Sequence, residues 1–308
     1  MFLKINLFIF LLLLLTACDP QPDFAGKGHF THSAAAASVA PAAANPPPCR
    51  DSFGRDSILL RLRRKIAAGE VLIAHVFVPL CDNEHQGIVP VNARLGDGLN
   101  LRTNLYWGAG YGVKSFFLAD KSWKLRQATP DPQPDILERV VFEKKFPNGA
   151  RLLLVADAYR GDRMQACIHD FLHTLAGRRP DTLRLDGQTR PVAIGQPELA
   201  VFNGHNGLMD MSVPAVPQVP GLPCRDAAVI ACASHRYFRQ RLQCAGAFPV
   251  LTTRHLLAPE AYVLGALLEG WVAAEAETQL HVRAAKAYAQ YQKCGYKGAY
   301  RTFNAGWD

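Results

Sequence analysis

The sequence predicts an α/β fold: a mostly parallel sheet carrying helices, with an antiparallel edge or hairpin. Three observations carry that expectation. Strand-length runs that are apolar throughout recur along the chain, and such runs mark strands covered on both faces. They alternate with segments of helical periodicity, the pattern that builds parallel sheets. One stretch, ERVVFEKKFPNGARLLLVADAYRG at 138–161, reads instead as two strands about a Pro147-Asn148-Gly149 turn.

The elements follow in order. Residues 54–68 read as a helix, because Ile58, Leu59, Leu62 and Ile66 recur on one face with charges between them, and Gly69 ends it. VLIAHVFVPL at 71–80 is nearly all apolar and β-branched, a buried strand that runs into the polar loop CDNEHQG. Residues 87–104 are loop-like, rich in Gly, Asn, Asp and Arg. YWGAGYG at 106–112 holds three glycines, which leave room for a short helix at most. VKSFFLA at 113–119 reads as the next strand. After the hairpin, MQACIHDFLHTLAG at 164–177 is an amphipathic helix closed by Gly177. LAVFNG at 199–204, AAVIA at 227–231 and FPVLTT at 248–253 are short buried strands. Residues 257–292, full of Ala, Leu and Glu, form one long helix or two with a break near Gly270.

The N-terminus is of another kind. In MFLKINLFIFLLLLLTAC, Lys4 precedes an apolar run from Leu7 to Leu15 and then Thr16, Ala17 and Cys18, the layout of a secretory signal. The run falls short of the roughly 20 residues that span a bilayer. Leu15-Thr16-Ala17-Cys18 resembles the bacterial lipobox. That resemblance implies lipid attachment to the Cys18 thiol, cleavage just before it, and a membrane partner reached through the lipid. Asp19 implies, by the enterobacterial rule, the inner membrane facing the periplasm. Residues 19–50, rich in Ala and Pro, cannot build a core and read as a tether. The expected organisation is therefore signal 1–17, tether 18–50 and one domain over 51–308.

The net charge of +8 suits an anionic membrane surface or cell-wall polymer. The clusters RLRRK at 61–65 and GRR at 177–179 lack interleaved aromatics, so nucleic acid is not an expected partner. The chain has eight cysteines: Cys18, Cys49, Cys81, Cys167, Cys224, Cys232, Cys244 and Cys294. With Cys18 lipidated, seven remain in a compartment that permits disulfides, and an odd number leaves at least one unpaired within the chain. His169 and His173 are spaced for shared metal binding but lack the glutamate of HExxH and a third ligand. No metal or cofactor is expected.

Two segments carry the chemistry. VFNGHNGLMD at 201–210 is a strand that stops at Gly204, before His205; VIACASHRYF at 229–238 is a strand that stops at Cys232. If the strands are neighbours, both side chains emerge on one sheet edge, where ligands of open α/β sheets bind. An imidazole beside a thiol stabilises the thiolate and then protonates the leaving group. The N–H of Gly207 and one beside Cys232 would face a developing oxyanion.

Gly204-His205-Asn206-Gly207 and Ala231-Cys232-Ala233-Ser234 resemble the caspase–legumain–gingipain superfamily of cysteine peptidases. The resemblance spans residues 199–238. It implies a caspase-like three-layer α/β sandwich and amide or peptide hydrolysis, with Cys232 as nucleophile and His205 as general acid/base. The chain departs from the family in placing Asn206 directly after His205, and His235 after Ser234.

The loop after the 71–80 strand supplies candidate substrate-binding groups. Arg94 or Arg102 would take a carboxylate and Asp82 or Asp97 an ammonium group. Asn83 and His85 add hydrogen-bonding groups, and Trp107 would cover an apolar or sugar face. The substrate would be a protein, a peptide or a cell-wall peptide. Three bland readings stand beside these. Cys232 also reads as a core cysteine or half of a disulfide with Cys224 or Cys244, His205 as the cap of a turn, and the loop as an Ω-loop bonded within itself. The alternative function is an inactive peptide- or glycan-binding envelope lipoprotein of the same fold.

Overall fold

The computed structural model describes residues 53–187 and 189–308. The expectations on the signal, on Cys18 and on the tether lie outside the described residues.

Helix α1 (Asp56–Ala67) leads into strand β1 (Val71–Pro79), helix α2 (Val113–Ala119) and strands β2 (Lys124–Gln133), β3 (Ile136–Lys145) and β4 (Arg151–Tyr159). Helix α3 (Met164–Leu175) is followed by the short strands β5 (Thr182–Leu183) and β6 (Val192–Ala193), then β7 (Leu199–Asn203) and β8 (Arg225–Ile230). Helix α4 (Ser234–Cys244), strand β9 (Ala247–Thr253), helices α5 (Ala261–Val272), α6 (Glu277–Gln292) and α7 (Tyr296–Thr302) and strand β10 (Phe303–Asn304) complete the chain.

Eight strands form one sheet in the order β10-β9-β8-β7-β1-β4-β3-β2. The five central strands, β9, β8, β7, β1 and β4, run parallel. Antiparallel strands close both edges: β3 and β2 beside β4, and β10 beside β9. The sequence expectation of a mostly parallel sheet with an antiparallel hairpin thus holds. β1 is central, with eight of its nine residues buried, as its run of apolar residues, broken only by His75, requires. On one face, Phe171 of α3 and Phe238 of α4 meet Phe77 and Phe202 with ring centroids 5.6–5.9 Å apart. The β5–β6 ribbon adds a smaller cluster, in which Leu183, Leu185 and Ile194 join Ile73, Leu153 and Val155.

A charged network is buried between that ribbon and the sheet. His75 directs Nε2 to Asp157 at 2.9 Å and Nδ1 to the Ile194 carbonyl at 3.2 Å. Arg139 holds the same Asp157 with two bonds of 2.6 and 2.8 Å and reaches Asp181 at 2.9 Å. Burial pushes the Asp157 carboxyl up, but the His75 ring and the Arg139 guanidinium outweigh it and hold the group well below the usual carboxylate range.

Several expectations need correction. VKSFFLA forms helix α2, not a strand. Val113 and Phe117, one helical turn apart, are its buried residues, so the short apolar run follows the helical period. Strand β2 was not expected, because KLRQATPDPQ carries charges and two prolines. It tolerates them as an edge strand, pairing only with β3 through two irregularities. YWGAGYG forms turns, not a helix. The C-terminal run forms two helices, as one of the two expectations had it, with the break near Gly270 falling at residues 273–276, where Ala274 takes φ 52°. Gly270 stays inside α5, where a Cβ would lie 2.5 Å from Glu275 Oε2 and 2.6 Å from Arg283 Cδ.

The reading of Cys232 as half of a disulfide is also corrected, although Cys244 is itself disulfide-bonded. No disulfide joins two of the described cysteines; Cys81, Cys167, Cys232 and Cys294 are free thiols, so Cys232 is not bridged to Cys224 or Cys244. Among the described residues no helix is long and apolar enough to cross a membrane.

Candidate functional site

The site is set by register. In the parallel β7–β8 pair, Phe202 lies opposite Val229 and Asn203 opposite Ile230. The Gly204 N–H continues the ladder to the Ile230 carbonyl at 3.2 Å. His205 and Cys232 each lie two residues beyond the last pair, so they leave the sheet side by side at its carboxyl edge. Gly204 is required there, since a Cβ would meet the Pro79 ring at 2.9 Å.

Cys232 occupies a strand–turn–helix junction. Ala233 has φ 48° and ψ 30°, a left-handed conformation that a residue with a Cβ seldom adopts. Helix α4 starts at the next residue. The turn is fixed by Ser234, whose Oγ donates to the Val229 carbonyl at 2.7 Å and accepts from the Thr253 N–H at 3.0 Å. The Cys232 Sγ points to the Leu257 carbonyl at 3.5 Å. Burial pushes this thiol up from its ordinary value, against the lowering effect of backbone groups at Leu257 and at Cys232 itself. Behind it lie Cys81, pushed up to about 12 by burial, and the buried Tyr106.

His205 is nearly buried and donates from Nε2 to Asp210 Oδ2 at 2.6 Å. A carboxylate only accepts, so Nε2 carries the hydrogen and Nδ1 is left without a partner among the described residues. The same carboxylate accepts the Gly87 N–H at 3.1 Å, which joins this turn to the loop after β1. Asn206, the residue that departs from the peptidase pattern, links the two segments: its Nδ2 donates to the Cys232 carbonyl at 2.6 Å. No hydrogen bond joins His205 to Cys232 here; each faces a different partner.

The expected oxyanion donors are otherwise engaged. The Gly207 N–H bonds the His205 carbonyl at 3.1 Å, and a Cβ there would meet Met164 Cγ at 2.2 Å. Gly207 therefore shapes the turn and does not face a substrate. The Ala233 N–H bonds the His255 carbonyl at 3.0 Å. The Cys232 N–H donates to no backbone carbonyl among the described residues.

The loop residues separate into three groups. Trp107 is fully buried, with Nε1 bonded to Glu138 Oε2 at 2.8 Å, so it is a core residue and not a cover for a ligand. Asn83 clasps Val91 through both of its side-chain polar atoms, and Asp97 caps the Leu99 N–H at 3.0 Å. Asp82 caps the Glu84 and His85 N–H groups and accepts from the His85 ring at 3.0 Å, a bond that raises the His85 pKa. These are the bonds of an Ω-loop held together from within. Arg94 and Arg102 are exposed and make no side-chain hydrogen bond or ion pair among the described residues. His169 and His173 stack at 3.8 Å.

Two features were missed from the sequence. Asp210 lies in the quoted VFNGHNGLMD segment, and an acidic residue five positions after a strand-end histidine was the available signal. The second is an open cavity of about 390 Å³ between the Gly207–Met209 turn and α4, lined by Met209, Asp210, Ser212, Arg236, Tyr237 and Arg241. Met209, Asp210, Arg236 and Tyr237 lie in the two quoted segments, but only the sheet order brings those segments together around it. Compared with protein-family models, curated proteins and solved structures, the chain matches none of them.

Proposed function

We propose that the domain is a thiol-dependent amide or peptide hydrolase on a caspase-like fold, with Cys232 as nucleophile and His205 as general acid/base. The observation that supports this reading is the shared departure of the two residues from adjacent parallel strands, tied together by Asn206. Asp210 adds a positioning group, because it fixes the His205 ring with Nδ1 as the remaining base.

In the proposed reaction the thiol turns from the Leu257 carbonyl and gives its proton to His205 Nδ1. The thiolate attacks the amide carbonyl, forming a C–S bond, while the oxyanion faces the Cys232 N–H. The C–N bond breaks as His205 returns the proton to the departing amine. Water, deprotonated by His205, then cleaves the thioester and releases the acid and the thiol. The cavity beside Asp210 is the adjoining place for the rest of the substrate. In the same reading, the signal-like N-terminus directs the domain out of the cytoplasm, toward peptide or cell-wall substrates.

The test is a library of peptidyl acyloxymethyl ketones, with the labelled site mapped by mass spectrometry. Cys232 should be labelled, and His205→Ala should slow that labelling by at least 100-fold. Labelling of Cys232 that ignores His205, or none at all in the parent chain, removes the hydrolase reading.

One observation favours a second reading. The thiol is engaged with Leu257, and the Gly207 and Ala233 amides are bonded elsewhere. A binding protein of this fold would keep that arrangement and would hold its peptide or glycan equally well as Cys232→Ser.

A further inference from the structure

A second cavity lies at the opposite, amino-terminal edge of the sheet. Its volume is about 220 Å³, and it is bounded by α1, by the chain entering β7 and by the start of β8. Arg225 opens β8, and Cys232 follows seven residues later, so roughly 20 Å separate this cavity from the proposed hydrolase site at the rise of an extended strand. The cavity is lined by three cationic side chains, Arg61, Lys65 and Arg225, and two carboxylates, Glu198 and Asp226.

Both carboxylates are already committed. Glu198 accepts from Lys65 Nζ at 2.7 Å and from the Ile73 N–H at 2.8 Å. Asp226 is fully buried and accepts Nε and Nη2 of Arg55, the latter at 2.6 Å, and Trp271 Nε1 at 2.8 Å. Arg225 is left without a counter-ion. It is 5% exposed, yet its one bond is a long contact of 3.4 Å from Nη1 to the Thr174 carbonyl. Arg61 likewise bonds only backbone carbonyls, those of Ser57 and Cys224. Burying a charge is costly unless it is paired, and a guanidinium presents its donors in a fork that fits an oxyanion.

We infer that this cavity is a binding site for a small oxyanion, a carboxylate or phosphate group, held by Arg225 and Arg61. Ile58, Leu62, Pro223 and Trp271 supply an apolar wall for a short body attached to that group. Burial lowers the Arg225 pKa and nearby Arg61 lowers it further, against the raising effects of Glu198 and Cys224; the negative charge of a bound anion opposes the lowering. The inference is independent of the Cys232 chemistry.

The test uses the full chain and two probes, inorganic phosphate and butanoate, with sodium chloride at matched ionic strength as control. A saturable rise in Tm with either probe and not with chloride is the expected result. Saturation by phosphate alone assigns a phosphorylated or inorganic ligand; saturation by butanoate alone assigns an organic acid whose chain uses the apolar wall. Arg225→Gln should abolish the effect, and Arg61→Ala should weaken the apparent Kd at least tenfold. Should Arg225→Gln fail to fold, Arg61→Ala decides. Equal shifts from chloride, or a parent-like response in Arg61→Ala, overturn the site.

Discussion

His205 and Asp210 lie five residues apart in one turn, and their side chains meet at 2.6 Å with the imidazole nearly buried. The carboxylate decides which nitrogen is left to act. Asp210→Asn removes the charge that fixes this tautomer. Labelling of Cys232 by a peptidyl ketone should fall about 10- to 100-fold, within the usual worth of a positioned acid–base group. Thermal unfolding should change little, since a partly exposed hydrogen bond contributes about 1 kcal/mol. A parent-like labelling rate would leave Asp210 a turn residue only.

The Cys232 thiol makes a separate prediction. Burial raises its pKa, so at a given pH the resting chain holds less thiolate than an ordinary cysteine with a pKa of about 8.5. Alkylation by iodoacetamide, followed by mass spectrometry, should therefore show a midpoint on the alkaline side of that value. Cys81, pushed up further by its burial, should stay unmodified until the domain unfolds. A midpoint for Cys232 below the ordinary value would mean that the thiol already sits against His205 in solution.

The His75–Asp157–Arg139 network governs the acid limit of stability. The folded pKa of Asp157 is lowered, so its contribution is fully present above the unfolded carboxylate pKa of about 3.9. It is lost as pH falls from there toward the folded value. Asp157→Asn leaves Arg139 with only Asp181 and should cost about 3–5 kcal/mol at neutral pH. Denaturant titration of both chains at pH 7 and pH 3 checks this: the gap between them should narrow at pH 3.

Ala233 allows a gain of stability at the site itself. Its φ of 48° costs a residue with a Cβ about 1–2 kcal/mol relative to a conformation free of that clash. Ala233→Gly should raise Tm, and Ala233→Val should lower it. The opposite order would show that the methyl group makes a contact that outweighs the backbone cost.

The sequence was most informative where packing and pattern agree. β1, β7, β8 and β9 are buried along almost their whole length, so most of their residues are apolar and could be read directly; the buried polar ones, His75, Asn203, Arg225, Asp226, Thr252 and Thr253, interrupt the pattern. β2 could not, because an edge strand half in water carries polar residues and prolines that elsewhere mean a loop. VKSFFLA is too short for periodicity to separate helix from strand. At the site, His205 and Cys232 were legible because strand ends are visible in sequence. The bonds around them were not: Leu257 on the thiol and Thr253 on the turn come from segments whose proximity only the sheet order creates, while Asp210 on Nε2 lies in the same turn as His205 and was passed over. Trp107 shows the opposite case, since a tryptophan in a polar loop looks like a ligand platform until its indole N–H is traced to Glu138.

The position of β1 has a consequence for how the chain acquires its structure. β1 is the first strand among the described residues, yet its neighbours are β4 and β7, which begin at residues 151 and 199. At about 5–20 residues per second, a ribosome needs roughly 4–16 s to deliver even the start of β4. Throughout that interval a nine-residue apolar segment has no strand to pair with. Such a topology folds late and slowly, with most of its pairing between distant parts of the chain. Until those partners emerge, the apolar residues of β1 stay open to wrong pairing, the usual hazard of a parallel sheet built from distant strands.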